Sequence, residues 1–348
     1  MNFHRLRHCA PGVLLAGLMI SGLAAPAARA DEAIDLTPKI HGAIRARFEY
    51  GTRTGEERFE ARNARLTVAG MVAPQIDYFA QADLCDRGTM KILDAWGRLK
   101  IADGLRVRAG QFRLPMGTDC FRGPANYIFS NRSFLVKQMN NVRGVGAELQ
   151  YQMQLGAGNS IGVSAGAFNP TSITDQTRWV KSLAYAGKVS YTHGGWKVEA
   201  GTETLIPDSV RVNLTGASLG WHNDRLLVEG EYLYKHYVNR AHKAAHGWQV
   251  FADYGFPVKW GVFNRFSVQG RYDGITAHSS GKRNKEGKLY TDFDPSNRAT
   301  IGGTLTYAYK AVHCDVRLSY EKFFYHENHR TGNPDAEDKV CAELVVRF

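Results

Sequence analysis

Between residues 40 and 348 the chain alternates apolar and polar positions with a period of two, again and again, between short clusters of turn-forming residues. The first run, 40–50, places Ile40, Ile44, Phe48 and Tyr50 on one face and His41, Arg45, Arg47 and Glu49 on the other. Successive side chains of a β-strand point to opposite faces, so this pattern predicts a strand with one apolar and one polar surface. Its length also suits a tilted strand crossing a membrane, which takes about 9 to 11 residues. The same alternation returns at 64–68, 76–84, 93–101, 105–109, 145–151, 161–167, 185–191, 196–205, 214–221, 226–234, 248–256, 266–272, 301–309, 316–320 and 340–348, giving about sixteen strands.

The links between strands carry a second alternation. Short ones at 72–75, 102–104, 193–195, 222–224 and 310–312 alternate with longer ones at 51–57, 114–142, 169–181, 239–245, 275–297 and 326–338. Short turns at one end and long loops at the other describe an outer-membrane barrel, and an even strand count keeps both chain ends on the short-turn side. In hydrocarbon every backbone N–H and C=O needs an internal partner, so the sheet has to close on itself. The expected fold is therefore all-β: a transmembrane antiparallel β-barrel. A soluble sandwich or solenoid would alternate too, but would not require the loop-length contrast or the aromatic residues near strand ends.

Composition refines this in three ways. The 348 residues are 22% charged and 44% hydrophobic, compatible with a folded chain. Arg5 and Arg7 precede an apolar run at 13–25, followed by Ala28-Arg29-Ala30, which reads as a signal peptide over 1–30 and leaves 31–348 as the barrel. That run of thirteen residues is short of the ~20 needed for a spanning helix. Cys9 precedes the run, so no lipid attachment is expected. Cleavage would leave 41 basic against 33 acidic residues, a net charge of +8. A basic exported chain attracts anions, anionic surfaces or nucleic acid, and no nucleic-acid motif is present.

The longest break in the alternation, 114–142, reads LPMGTDCFRGPANYIFSNRSFLVKQMNNV. Phe121, Tyr127, Ile128, Phe129, Phe134 and Leu135 are interleaved with Arg122, Arg132 and Lys137. Such a mixture is too apolar for a disordered linker and is expected to pack.

Several words then carry a family likeness: Ala61-Arg62-Asn63-Ala64-Arg65-Leu66, Gly110-Gln111-Phe112-Arg113-Leu114-Pro115-Met116-Gly117, Asn131-Arg132-Ser133, Ala167-Phe168-Asn169, Gly230-Glu231-Tyr232 and Arg271-Tyr272-Asp273. Together, in order from about residue 40 to 348, they resemble the phosphate-selective porin O and P family. The resemblance implies a sixteen-stranded barrel, usually trimeric, whose long third external loop folds into the lumen. It also implies a route lined by arginine and lysine. By face the candidates are Arg45, Arg47, Arg65, Arg98, Lys100, Arg106 and Arg108, with Arg62 on the adjoining segment. The constriction candidates are Arg113, Arg122, Arg132, Lys137 and Arg143. Phe348 resembles the terminal assembly signal of bacterial outer-membrane barrels. Two departures from the family pattern stand out: the chain is shorter than the namesake porins, and its inward faces also carry Asp77, Asp83, Asp94, Glu229 and Glu231.

The expected function is an outer-membrane porin, a passive channel for small hydrophilic solutes that prefers anions, phosphate among them, with no cofactor, no metal and no catalysis. One alternative is an outer-membrane barrel enzyme. Its candidate histidines, His236, His242 and His246 around one loop and His326 and His329 around another, lack the helix that gives a metal-binding pair its geometry. Another is a plugged structural or adhesive barrel. Lys282, Arg283, Lys285 and Lys288 in the 275–297 loop read as an external basic collar or as a solvated charge run. Of the cysteines that would remain, Cys85 and Cys120 are placed in external loops where they could pair. Cys314 and Cys341 fall at opposite ends of adjacent strands, so at most one disulfide is expected.

Overall fold

The computed structural model describes residues 35–348 apart from 140–141, 157, 171–172, 174, 178, 207–209 and 326–333. The expected signal peptide, and His326 and His329, lie outside the described residues. Sixteen strands are present among those described: β1 (Lys39–Gly51), β2 (Glu57–Ala73), β3 (Ile76–Asp86), β4 (Thr89–Ala102), β5 (Leu105–Arg113), β6 (Arg143–Gly156), β7 (Asn159–Phe168), β8 (Ala184–His193), β9 (Trp196–Leu205), β10 (Val212–His222), β11 (Leu226–Tyr237), β12 (Ala245–Trp260), β13 (Phe263–Ile275), β14 (Ser296–Tyr309), β15 (Val312–Phe324) and β16 (Lys339–Arg347). Each pairs antiparallel with its neighbours in sequence, and β1 pairs with β16, closing the barrel. The closing seam aligns Ile44 with Val346 and Phe48 with Ala342. It ends with Gly42 and Phe348 exchanging backbone hydrogen bonds of 2.8 and 3.1 Å.

Burial along the strands is the reverse of that in a water-soluble sheet. On β1, Arg45 is 2% exposed while its neighbour Ile44 is 51% exposed. The polar row of each strand is the sheltered one, on the inside of the closed sheet, and the apolar row faces out, as hydrocarbon requires. Val163, Leu219, Val250, Ile301 and Leu318 continue the exposed apolar row around the wall.

Two links differ from the sequence expectation. β3 and β4 are joined at the long-loop end by a two-residue turn, Arg87-Gly88, with φ of 54° and 82°. Such a turn matches the right-handed strand twist, but it is usually built from Asn, Asp or Gly, so Arg87 hides it. A six-residue link, 206–211, joins β9 to β10. Arg62 departs from the period-two alternation of its strand for a local reason. Arg45 pairs with Asn63 and Ala46 with Ala61, so Arg62 is the extra residue of a β-bulge.

All four cysteines in the described chain are unbonded. Cys85 lies within β3 rather than in a loop, and it does not pair with Cys120. Cys314 lies opposite Val346 and Cys341 opposite Ser319, which keeps those two apart as their strand positions imply.

Close approach between β4 and β5 depends on Gly110, whose φ is 132° and whose added Cβ would fall 2.3 Å from the Ala95 carbonyl oxygen. Gly110→Val is expected to lower barrel stability by about 2 kcal/mol or more through strain and overpacking. Gly97→Ala, where a Cβ meets nothing within 4 Å, should leave it nearly unchanged. Heat-modified gel mobility measured against temperature reads both.

Candidate functional site

The 114–142 segment has little regular structure of its own: turns of 3-10 helix at Asp119–Phe121 and Pro124–Asn126 and a π-helical turn at Leu135–Met139. Tertiary contacts hold it. Leu114, Met116, Phe134, Leu135 and Met139 join Phe112, Phe168, Leu214, Leu233, Tyr237, Ile275 and Phe323 in one buried apolar cluster. Fully burying each such side chain contributes about 1.5–3 kcal/mol. The strand backbone makes room for them. A Cβ on Gly247 would sit 2.5 Å from a Leu135 methyl carbon, so the segment packs directly on bare main chain.

Polar anchors complete the attachment, and they come from the sheltered row of strands far from β5. The backbone N–H groups of Thr118 and Asp119 donate to Glu231 at 2.8 and 3.1 Å. Arg122 donates to Glu229 at 2.8 and 2.5 Å and to Asp119 at 2.9 Å. Phe134 N–H donates to Asp273 at 2.8 Å. Segment carbonyls accept from arginines: Ser130 from Arg45 at 2.7 Å, Asn131 from Arg271 at 2.9 Å, Arg132 from Arg298 at 2.7 Å and Ala125 from Arg347 at 2.9 Å. Arg271, Arg298 and Arg347 were not among the sequence candidates, although Arg271 stood in one of the family words. Their task is to satisfy loop carbonyls, and which carbonyls will need a donor is not written in strand periodicity. Lys188 was missed as well. Its Nζ lies 3.1 Å from Glu199 and 4.4 Å from the centre of the Phe121 ring.

Burial opposes ionisation of Asp119, but the Arg122 guanidinium and the Ser133 hydroxyl outweigh it and hold the carboxyl below its usual range. The contribution of this pair is therefore complete above the ordinary carboxylate range and disappears only as acid takes the pH down through the depressed value.

The sequence candidates fall into three groups. At the long-loop end, Arg47 pairs with Glu60 at 2.7 Å and bonds Asn131 at 2.8 Å, while the bulged Arg62 pairs with Asp86. Toward the short turns, Arg98 pairs with Asp77 at 3.0 Å, Lys100 with Asp103 at 2.7 Å and Arg108 with Glu148. Arg98 lies across from Arg108, and Lys100 from Arg106. The guanidinium carbons of Arg98 and Arg108 each stand 5.3 Å from the Trp96 ring. Lys137 is exposed on the π-helical turn.

The third group surrounds Tyr127 of the segment. Arg132 donates to the phenol oxygen at 2.5 Å, with its guanidinium carbon 4.7 Å from the ring centre, and Arg45 stands over the same ring at 4.8 Å. Arg65, paired with Asp83 at 3.2 Å, and Arg113 complete the set. Arg113 is 7% exposed and forms no ion pair with a described carboxylate. Arg143, beside it in the β5–β6 pairing, is held by Asp94 at 3.0 Å. Burial alone would raise the Tyr127 pKa, yet Arg132, Arg65, Arg45 and Arg113 hold it below the ordinary phenol value. The phenol thus reports a positive local potential.

A closed sixteen-strand barrel with inward arginines narrows the range of relatives, and sequence comparison decides among them: residues 35–253 match the family described as Phosphate-selective porin O and P, more than half the chain. The chain belongs to that family. No curated protein matches it by sequence. Solved structures share the porin's fold at low identity. The anion-selective porin from Comamonas acidovorans is 12% identical with a TM-score of 0.58, covering 90% of this chain and 99% of that one. OmpF from Salmonella typhi, in complex with daunomycin, is 14% identical with a TM-score of 0.59, covering 89% and 97%. OmpT of Vibrio cholerae in a trimer form is 12% identical with a TM-score of 0.56, covering 90% and 98%. The porin is an outer-membrane channel protein.

Removing one partner of a sheltered ion pair leaves the other charge uncompensated. Glu229→Gln in the porin should therefore cost about 3 kcal/mol and loosen the segment around Arg122. Faster tryptic cleavage at Arg122 in the folded barrel, with a lower unfolding temperature, is the expected result.

Proposed function

We propose that this porin is a passive channel for small hydrophilic solutes that favours anions, with the 114–142 segment folded into the lumen as its constriction. The observation that carries the reading is the Tyr127 group. Arg45, Arg65, Arg113 and Arg132 converge on one phenol, with Asp83 and Glu343 the carboxylates paired to them. A passage through protein focuses the field of charges along it, so an excess of one sign raises the local concentration of the opposite ion. Guanidinium groups add planar, forked donors that suit oxyanions such as phosphate.

The acidic residues that weigh against anion preference have another task in this reading. Glu229, Glu231 and Asp273 spend their acceptor capacity on Arg122 and on backbone N–H groups of the segment, so their charge serves attachment. Within the Tyr127 group, Arg113 and Arg132 form no ion pair with a described carboxylate, and in this reading their charge is left to solute. The Arg98, Lys100, Arg106 and Arg108 group continues the basic wall toward the short-turn end. Selectivity follows from the width and charge of the constriction, and the channel performs no catalysis and takes no cofactor or metal. Export through a signal peptide over residues 1–30 and assembly as a homotrimer belong to the same reading. The named anion-selective porin and the trimer form among its structural neighbours support it.

The test is the reversal potential across a planar bilayer under a potassium chloride gradient, repeated with phosphate. The expected sign is anion-selective, and Arg132→Glu should lower the anion-to-cation permeability ratio about threefold or more, as one reversed charge in a narrow pore does. A cation-selective wild type, or a ratio indifferent to Arg132, would overturn the proposal. Absence of steady conductance steps would instead favour the plugged barrel.

A further inference from the structure

The sheltered rows of β3 and β4 are polar except at one place. Phe79 and Trp96 lie opposite each other in the β3–β4 pairing, on the same rows as Asp77, Asp83, Asp94 and Arg98. Their rings stack almost parallel, with centres 5.3 Å apart and planes 8° from each other. Other rings on sheltered rows are accounted for by the 114–142 segment. Phe251 packs on Phe129, Phe323 on Phe134, and Phe112 and Phe168 lie in the segment's apolar cluster, all of them buried. Trp96 also packs against that cluster, yet it and Phe79 remain half-buried on the inside of the barrel, where water or solute rather than lipid meets them.

The surroundings of the pair are small and cationic. In register, Ala69 of β2 lies opposite Phe79 and Gly110 of β5 opposite Trp96, and neither carries a side chain large enough to cover a ring. Two residues nearer the short turns, Arg98 lies opposite Arg108, and one step further Lys100 lies opposite Arg106. The guanidinium carbons of Arg98 and Arg108 both stand 5.3 Å from the Trp96 ring, held there by Asp77 and Glu148. Residues two apart on a strand are separated by about 7 Å, so a ring resting on the pair places an attached acid group within reach of Arg98 and then of Arg106.

We propose that Phe79 and Trp96, with Arg98, Arg106 and Arg108, form a station on the channel wall for solutes that join a flat aromatic ring to a carboxylate. Aromatic rings attract a further ring by offset stacking, and apolar area that water meets inside a channel favours an apolar solute surface. Guanidinium groups beside the rings take the carboxylate with their forked donors. A small inorganic oxyanion uses only the arginines, so the two rings distinguish this stretch of wall from a purely cationic one. The station rests on the anion-preferring reading for the charge of its solute and adds the solute's shape.

The test titrates sodium benzoate, and separately sodium cyclohexanecarboxylate, against the steady chloride current of the full chain in a planar bilayer. The two acids carry the same charge and nearly the same bulk, and differ in whether the ring is aromatic. Benzoate should halve the current at about one-fifth of the concentration that cyclohexanecarboxylate needs. Phe79→Leu with Trp96→Leu, shown folded by heat-modifiable mobility, should bring the two concentrations together. If that variant fails to fold, Phe79→Leu alone should still shrink the ratio about twofold. Equal concentrations in the wild type, or a ratio unchanged in a folded variant, overturns the proposal. The reversal potential in potassium chloride alone keeps the two readings apart. An anion-selective barrel that treats both acids alike loses only the aromatic station, whereas a cation-selective barrel, or one without steady current, loses the anion reading and the station together.

Discussion

Everything in this barrel depends on one constraint: a sheet in hydrocarbon has no water to satisfy an unpaired edge. The β1–β16 seam meets it, ending where Gly42 and Phe348 exchange main-chain hydrogen bonds. Once closed, the sheet has an inside and an outside that differ in solvent, and each strand needs an apolar row and a polar row. The exposed Ile44 beside the buried Arg45 is that constraint at the scale of two residues.

Closure creates a second problem, because long charged side chains are crowded onto the concave face of the barrel. Ion pairs between neighbouring strands answer it. Arg298 bridges Asp273 and Glu321 at 3.0 and 3.2 Å, and Glu343 joins Arg45 to Arg317. Arginine suits this role because its forked donors reach two acceptors at once, a carboxylate and a loop carbonyl. Arg45 and Arg298 each do so. Such networks specify geometry more than they add stability, since each charge also loses its water.

The 114–142 segment is fixed by two kinds of contact with the strands. Its apolar residues lie on glycine backbone and a patch of aliphatic and aromatic side chains, and its main-chain groups meet charged partners. Attachment of the segment uses up acidic residues on β11 and β13 while guanidinium groups from β1, β2 and β5 gather around Tyr127. A charge asymmetry emerges that the nearly balanced list of inward residues does not contain.

Period-two alternation and the contrast between short and long links were enough to determine strand number, closure, the polarity of each face and the place of the long loop between β5 and β6. These are local properties, because a strand's faces are set by its own sequence. The same legibility reached Arg45, Arg65, Arg98 and Arg108, whose parity places them on the sheltered row. It failed at the Arg87-Gly88 turn, which lacks the usual turn chemistry, and at Arg62, where a bulge resets the register. It failed also for Arg271, Arg298, Arg347 and Lys188, because a loop's anchors are chosen by the path it takes across the barrel. Which arginines meet carboxylates, which meet carbonyls and which converge on Tyr127 was decided only by tertiary structure, since those partners lie as much as 298 residues apart in the chain.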